Sequence, residues 1–206
     1  MKKWKLTITT LILGTILYSP KVSAENLANI SDFRIKSALL AQSDLKEAIV
    51  YFHRGINRHT SGDTKGAIEE YNQALQLHPN FPEVYYKRGI SRHKLGDLKG
   101  AILDYNKAIS LNANYPGIYN HRGFTRHNLG DFKGAIADFN KALSLNPKFP
   151  EAYQNRGITR NALGDKQGAI TDLKTAANLF KEQKRIINYQ EVIDLIEKIE
   201  NISPTS

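Results

Sequence analysis

Glycine recurs in this chain on a fixed step. Gly55, Gly89, Gly123 and Gly157 stand 34 residues apart, and so do Gly62, Gly96, Gly130 and Gly164. A period of that length marks a tandem supersecondary unit that buries its apolar face only by stacking on a neighbour. Such a chain offers an extended surface, not an enclosed reaction chamber. Its function is to be sought in what that surface holds.

Four units follow, at residues 48–81, 82–115, 116–149 and 150–182. Each reads as two helices. In the second unit, helix A is PEVYYKRGISRHKL at 82–95 and helix B is LKGAILDYNKAISL at 98–111. Gly96-Asp97 separates them. The glycine ends helix A with a positive φ, and the aspartate caps the first amides of helix B. The same pair recurs at 62–63, 130–131 and 164–165. In the return links, Pro79 and Pro147 end helix B, and Pro82, Pro116 and Pro150 open the next helix A. Ala113 replaces the earlier proline in the second link, which predicts a slightly softer connection there.

Within helix B, Ala67, Tyr71, Ala74 and Leu75 recur as Ala101, Tyr105, Ala108 and Ile109, then as Ala135, Phe139, Ala142 and Leu143. That spacing draws one apolar stripe. Small alanines allow close helix contact while the aromatics fill the space between. Tyr51, Tyr85, Tyr119 and Tyr153 take the matching place early in helix A. All these aromatics are expected in the core.

The pattern resembles the tetratricopeptide repeat. The first unit carries its signature at Tyr51, Gly55, Ala67, Tyr71, Ala74 and Pro79. The fourth matches at Gly157, Ala169 and Ala176, with Leu173 in place of the aromatic. The resemblance covers residues 48–182. It implies an all-α fold: a right-handed solenoid of four antiparallel helix hairpins with a concave, partner-binding groove lined mainly by A helices. The wording of the units (NRG, GDFKGAIADFNKAL, LNP) is similar to cyanobacterial members of the family.

Arrays need ends. Ile186, Tyr189, Val192, Ile193, Ile196 and Ile199 fall at helical spacing and predict a capping helix over 186–200. Residues 25–47 lack the repeat signature; Phe33, Ile35, Leu39, Leu40 and Leu45 suggest one or two helices covering the first unit. Residues 201–206 are expected to fray. At the N-terminus, Lys2, Lys3 and Lys5 precede the uncharged run LTITTLILGTILYS and the small-residue site Val22-Ser23-Ala24. This reads as a secretory signal peptide over residues 1–24. The run is too short for an easy membrane span, which takes about 20 apolar residues. The expected location is therefore the periplasm or a thylakoid lumen, with an uncleaved N-terminal anchor as the alternative. Cleavage after Ala24 would leave no stable membrane span.

The formal charge of +9 belongs partly to the leader. Its loss removes Lys2, Lys3, Lys5 and Lys21 and no acid, leaving +5. No Lys/Arg block is dense enough to suggest nucleic acid. The chain has no cysteine, which excludes disulfides, thiol nucleophiles and zinc–thiolate sites. It shows no GxSxG, HExxH or phosphate-binding glycine loop. No cofactor, metal or enzymatic role is expected.

Arg54, Arg88, Arg122 and Arg156 form one column, and Arg58, Arg92, Arg126 and Arg160 another, four residues on. An acidic column, Glu70, Asp104, Asp138 and Asp172, runs along helix B. Two readings stand: an internal Arg–carboxylate ladder, since a buried guanidinium needs a partner, or arginines facing the groove to bind anionic groups. Two columns outnumber one, leaving some arginines in need of carbonyls, water or a ligand. Gly66, Gly100, Gly134 and Gly168 stand in the first turn of helix B, where glycine costs about 1 kcal/mol against alanine. Their regularity suggests a close backbone approach without explaining it.

Family geometry implies a groove displaying Phe52, Ile56 and His59, then Tyr86, Ile90 and His93, then Asn120, Phe124 and His127, and finally Gln154, Ile158 and Asn161. Such a face, apolar with polar relief, suits an extended or helical peptide. Phe52 and Ile56 stand where some members carry carboxylate-gripping Lys and Asn, which argues against a tail clamp of that kind. One metal cannot span the histidine column, because packed helices lie about 8–10 Å apart and Zn–N bonds are about 2 Å. The expected function is a non-catalytic interaction or scaffold module that binds a protein or peptide and assists complex assembly. A self-associating structural module, with homo-oligomer formation, is the alternative. Binding of an anionic small ligand ranks third.

Overall fold

The computed structural model describes the backbone of residues 24–201 and side chains from Asp32 onward. The expected leader, apart from Ala24, and residues 202–206 of the expected frayed end lie outside the described residues. Among the described residues there are nine helices: α1 (Ala24–Thr60), α2 (Thr64–Leu77), α3 (Pro82–Lys94), α4 (Leu98–Leu111), α5 (Pro116–Asn128), α6 (Phe132–Leu145), α7 (Pro150–Ala162), α8 (Lys166–Glu182) and α9 (Ile186–Asn201). None of them is long and apolar enough to cross a membrane. The chain divides into two units, Met1–Lys46 and Glu47–Ser206.

In the first unit the described residues are helical, the beginning of α1. Phe33, Ile35, Leu39 and Leu40 are each more than half exposed. The apolar residues expected to form a buried cover are instead on the surface. The helix also continues unbroken past residue 47, so the repeat begins inside a helix and not at a helix end.

In the second unit each A helix (the end of α1, then α3, α5 and α7) is followed by its B helix (α2, α4, α6 and α8). Gly62, Gly96, Gly130 and Gly164 take φ of +95, +84, +80 and +85° between them. The chain reverses there because only glycine adopts that region freely. Asp63, Asp97, Asp131 and Asp165 then accept from the amides of Gly66, Gly100, Gly134 and Gly168 at 2.9 Å. In the return links Asn112 Oδ1 accepts from the Asn114 amide at 3.1 Å, as Asn146 does from Lys148. This turn therefore forms the same way with Ala113 as with Pro147.

Ala67, Ala101, Ala135 and Ala169 are fully buried, as are Tyr71, Tyr105, Phe139 and Leu173. A Cβ on Gly55, Gly89, Gly123 or Gly157 would come within 2.4, 2.6, 2.8 or 2.9 Å of the last four in turn. Glycine in helix A is what lets the ring of helix B lie against its backbone. Burial of such a side chain contributes about 1.5–3 kcal/mol. The helix A tyrosines differ: Tyr119 is buried, whereas Tyr51, Tyr85 and Tyr153 are half-buried. Each of the four carries the guanidinium of the arginine three residues on, 5.4–5.6 Å from its ring centre.

Those arginines form the internal ladder. Arg88 grips Asp104 through Nε and Nη2 (2.9 and 2.6 Å), and its Nη1 donates to Asn72 of the preceding unit at 2.7 Å. Arg122 does the same with Asp138 and Asn106, and Arg156 with Asp172 and Asn140. The second column completes each carboxylate: Arg92, Arg126 and Arg160 reach Asp104, Asp138 and Asp172 at 3.0, 2.8 and 2.8 Å. They also donate to the carbonyls of Gly100, Gly134 and Gly168 at 3.3 Å. In the first repeat Arg54 and Arg58 share Glu70.

The ladder explains the first-turn glycines. A Cβ on Gly66, Gly100, Gly134 or Gly168 would lie 2.1–2.2 Å from the carboxylate oxygen of the capping aspartate. The aspartate folds over the glycine to reach its amide and faces the second-column arginine. At Asp63 the Gly66 amide, followed by the Arg58 guanidinium, holds the carboxyl below its ordinary value.

The last hairpin is closed by α9. Val192, Ile196 and Ile199 pack with Leu173, Ala176, Ala177 and Phe180 of α8. Ile186, expected on that face, is exposed, and Asn201 closes the helix instead of fraying. The turn before α9 repeats the glycine turn with a lysine: Lys184 has φ +58°, and Arg185 N–H returns to the Phe180 carbonyl at 2.9 Å, as Asp97 does to Arg92.

Two outcomes follow from these turns. Lys184→Gly removes a left-handed strain of about 1–2 kcal/mol, offset in part by the greater freedom of unfolded glycine, and raises the melting temperature. Gly100→Ala, which helix propensity alone would favour, drives Asp97 from its cap and lowers stability by about 1 kcal/mol net. Thermal unfolding of the two variants beside the parent checks both; a Gly100→Ala protein more stable than the parent refutes the account of the glycine.

Candidate functional site

The A helices present the predicted row, and the structure sorts its members into three kinds. Phe52, Ile56 and Ile90 are partly buried and pack on the cores of the first two hairpins. Phe52 lies 5.3 Å from Phe81 between ring centres. Tyr86 and Asn120, expected on display, are buried. Both are drawn in by partners from the next unit: Tyr86 Oη is 3.1 Å from His121 Nδ1, and Asn120 Oδ1 accepts from Asn155 Nδ2 at 3.1 Å. Phe124 is 40% exposed and stacks on His93 at 5.2 Å. Gln154, Ile158 and Asn161 are half-buried on α7.

The histidines join successive A helices. His59 Nδ1 lies 2.8 Å from Ser91 Oγ, His93 Nδ1 2.8 Å from Thr125 Oγ1, and His127 Nδ1 2.9 Å from Thr159 Oγ1. Sequence reasoning found the histidines but missed the hydroxyl column Ser91, Thr125, Thr159. The signal was there: a Ser or Thr stands 32 residues after each histidine.

A cavity of about 270 Å³ opens at the start of the second and third A helices. Phe52 and Tyr86 line it, with Pro82, Glu83, Lys87, Asn112, Tyr115 and Ile118. Tyr115 was missed because it sits in a link. It packs edge-on against Tyr86 at 5.3 Å. Gly117, where the neighbouring units have Glu83 and Glu151, makes room: its Cβ would come within 3.1 Å of both Tyr115 and the Tyr86 hydroxyl. Burial pushes the Tyr86 hydroxyl's pKa upward, with smaller contributions from Tyr115.

The arginine columns do not join this row as free cations: each of the eight meets a carboxylate within 4 Å. Among the described residues no group of His, Asp or Glu side chains is placed to hold a metal ion.

The TPR repeat profile matches residues 58–96, 91–130 and 125–164, more than half of the chain. The chain belongs to the TPR repeat family. No curated protein matches its sequence. Among solved structures, that of MamA is 22% identical with a TM-score of 0.64, covering 80% of this chain and 99% of MamA. YrrB, a TPR protein with an unusual peptide-binding site, is 19% identical with a TM-score of 0.60, covering 82% of this chain and 92% of its own. The first TPR of Spaghetti (RPAP3), bound to the HSP90 peptide SRMEEVD, is 27% identical with a TM-score of 0.57, covering 58% and 95%. MamA and YrrB share the fold at identities too low to carry function.

Burial holds the imidazoles of His59, His93, His121 and His127 below their ordinary value; at His59 the Lys94 and Lys87 charges add to it. The unfolded chain therefore takes up protons first on acidification. Stability is full above the ordinary imidazole value of about 6.5 and falls as the pH drops through it toward the lower folded values. Urea unfolding at pH 7.5, 6.5 and 5.5 should show a falling midpoint, and the His93→Gln, His127→Gln double variant a flatter dependence.

Proposed function

We propose that the chain is a non-catalytic interaction module that holds a peptide segment or partner surface along its A helices and helps to assemble or place a complex. The observation that carries this reading is the aromatic-walled cavity of Phe52, Tyr86 and Tyr115, continued along the row by the exposed Phe124. Concave apolar walls with few polar groups are what a ligand side chain needs. The relatives add support, since one is bound to a peptide and another is described by its peptide-binding site. Paired arginines weaken the case for an anionic small ligand. The leader-like residues 1–24 favour work outside the cytoplasm, in the periplasm or a thylakoid lumen, and the wording of the units favours a cyanobacterial source.

Self-association is the second reading, and one observation favours it: Ile186 and Ile187 are 62 and 77% exposed at the start of α9. Ile196 is buried against α8 and takes no part. Capture from a periplasmic or luminal extract separates the readings. The full chain and its Phe124→Ala and Ile187→Asp variants serve as baits, with molar mass measured alongside. Phe124→Ala should lose a partner that the parent retains, an effect of about 2 kcal/mol or more if the ring anchors the contact. Retention of every partner by Phe124→Ala, with a dimer that only Ile187→Asp dissolves, reverses the assignment.

A further inference from the structure

The hydroxyls joined to the histidines have a second partner. Thr125 Oγ1 donates to the His121 carbonyl and Thr159 Oγ1 to the Asn155 carbonyl, both at 2.8 Å. A hydroxyl owns one proton and a carbonyl oxygen can only accept. Two oxygens that close need the proton between them, so each hydroxyl proton is committed to the backbone. The same oxygens stand 2.8 and 2.9 Å from Nδ1 of His93 and His127. That contact is a hydrogen bond only if Nδ1 carries the proton. At His93 a second contact agrees: the exposed Asn128 Nδ2, itself a donor, lies 3.3 Å from Nε2 and holds its single lone pair until a ligand N–H displaces it.

We infer that His93 and His127 are locked as the neutral Nδ1–H tautomer, so that their Nε2 atoms form a fixed row of hydrogen-bond acceptors, and that the ligand of the A-helix row meets them with main-chain N–H groups of an extended peptide. Solvated imidazole favours the opposite tautomer. The lock is therefore a property of the threonines, and the bond that an imidazole makes through one nitrogen decides what its other nitrogen offers. His93 is held further by its stack on the Phe124 ring. Acceptors spaced one repeat apart select for a peptide backbone without reading side chains, while the cavity at the start of the same helices reads one apolar anchor. The peptide half of this inference rests on the function proposed above; the tautomers do not.

Long-range proton–nitrogen NMR of the full chain at pH 8 tests the lock directly. Nε2 should be the unprotonated nitrogen in both residues, and Thr125→Val should release His93 while His127 keeps its state. Protonated Nε2 in the parent overturns the inference. For the ligand, random peptides displayed on phage are selected on the full chain at pH 7.5, and the best binder is synthesised. His93→Asn with His127→Asn keeps a donor at the Nδ1 position, removes the acceptor, and copies Asn161 of the fourth unit. It should retain the parent's melting temperature and weaken the peptide about tenfold. N-methylation of the peptide along its length should lose a similar factor at two positions. Unchanged affinity in the double variant or throughout the methylation series sinks the main-chain half. Failure to select any peptide overturns the groove reading together with that half, and the NMR result distinguishes that outcome from a wrong tautomer.

Discussion

A carboxylate shared by two guanidinium groups sets the geometry of each hairpin. Asp104, Asp138 and Asp172 are 3% exposed and sit where helix A meets helix B, gripped by one arginine from each column. Ion pairs of this kind often add little net stability over well-packed apolar residues, yet losing one partner costs about 3–5 kcal/mol. The ladder therefore acts as a specifier of register more than as a source of stability. A hairpin slipped by one residue would leave buried charge unpaired. Because the first-column arginine also reaches an asparagine of the preceding unit, the same contact fixes how one hairpin sits on the next.

The ladder propagates into the turns. The second-column arginine faces the capping aspartate, which lies over a glycine that has no side chain to obstruct it. Cap, cation and glycine form one device, repeated four times. Its effect on the site is indirect. With the arginines committed inside the hairpins, the predicted row is left with aromatic rings, imidazoles and amides. The row also changes along its length. Phe52 and Tyr86 are aromatic at its beginning, whereas Asn120 and Gln154 stand at the equivalent positions further on.

Periodicity alone determined the four hairpins, their turns and the capping helix. A glycine that must take positive φ, a proline that cannot continue a ladder and an alanine that admits a close neighbour act within a few residues of themselves, so their meaning survives in one dimension. The use of Gly100 was not legible, because it depends on where the Asp97 carboxylate lies in space. Nor was the burial of Tyr86 and Asn120, which depends on His121 and Asn155 of adjoining units. The exposure of Phe33 and Leu40 went unforeseen for a similar reason: apolar residues at helical spacing describe a helix face and say nothing of whether a surface exists to receive it. What only tertiary structure decided is which polar groups satisfy one another across units, since hydrogen bonding reaches about 3 Å in space while the residues concerned stand 16 to 35 apart in the chain.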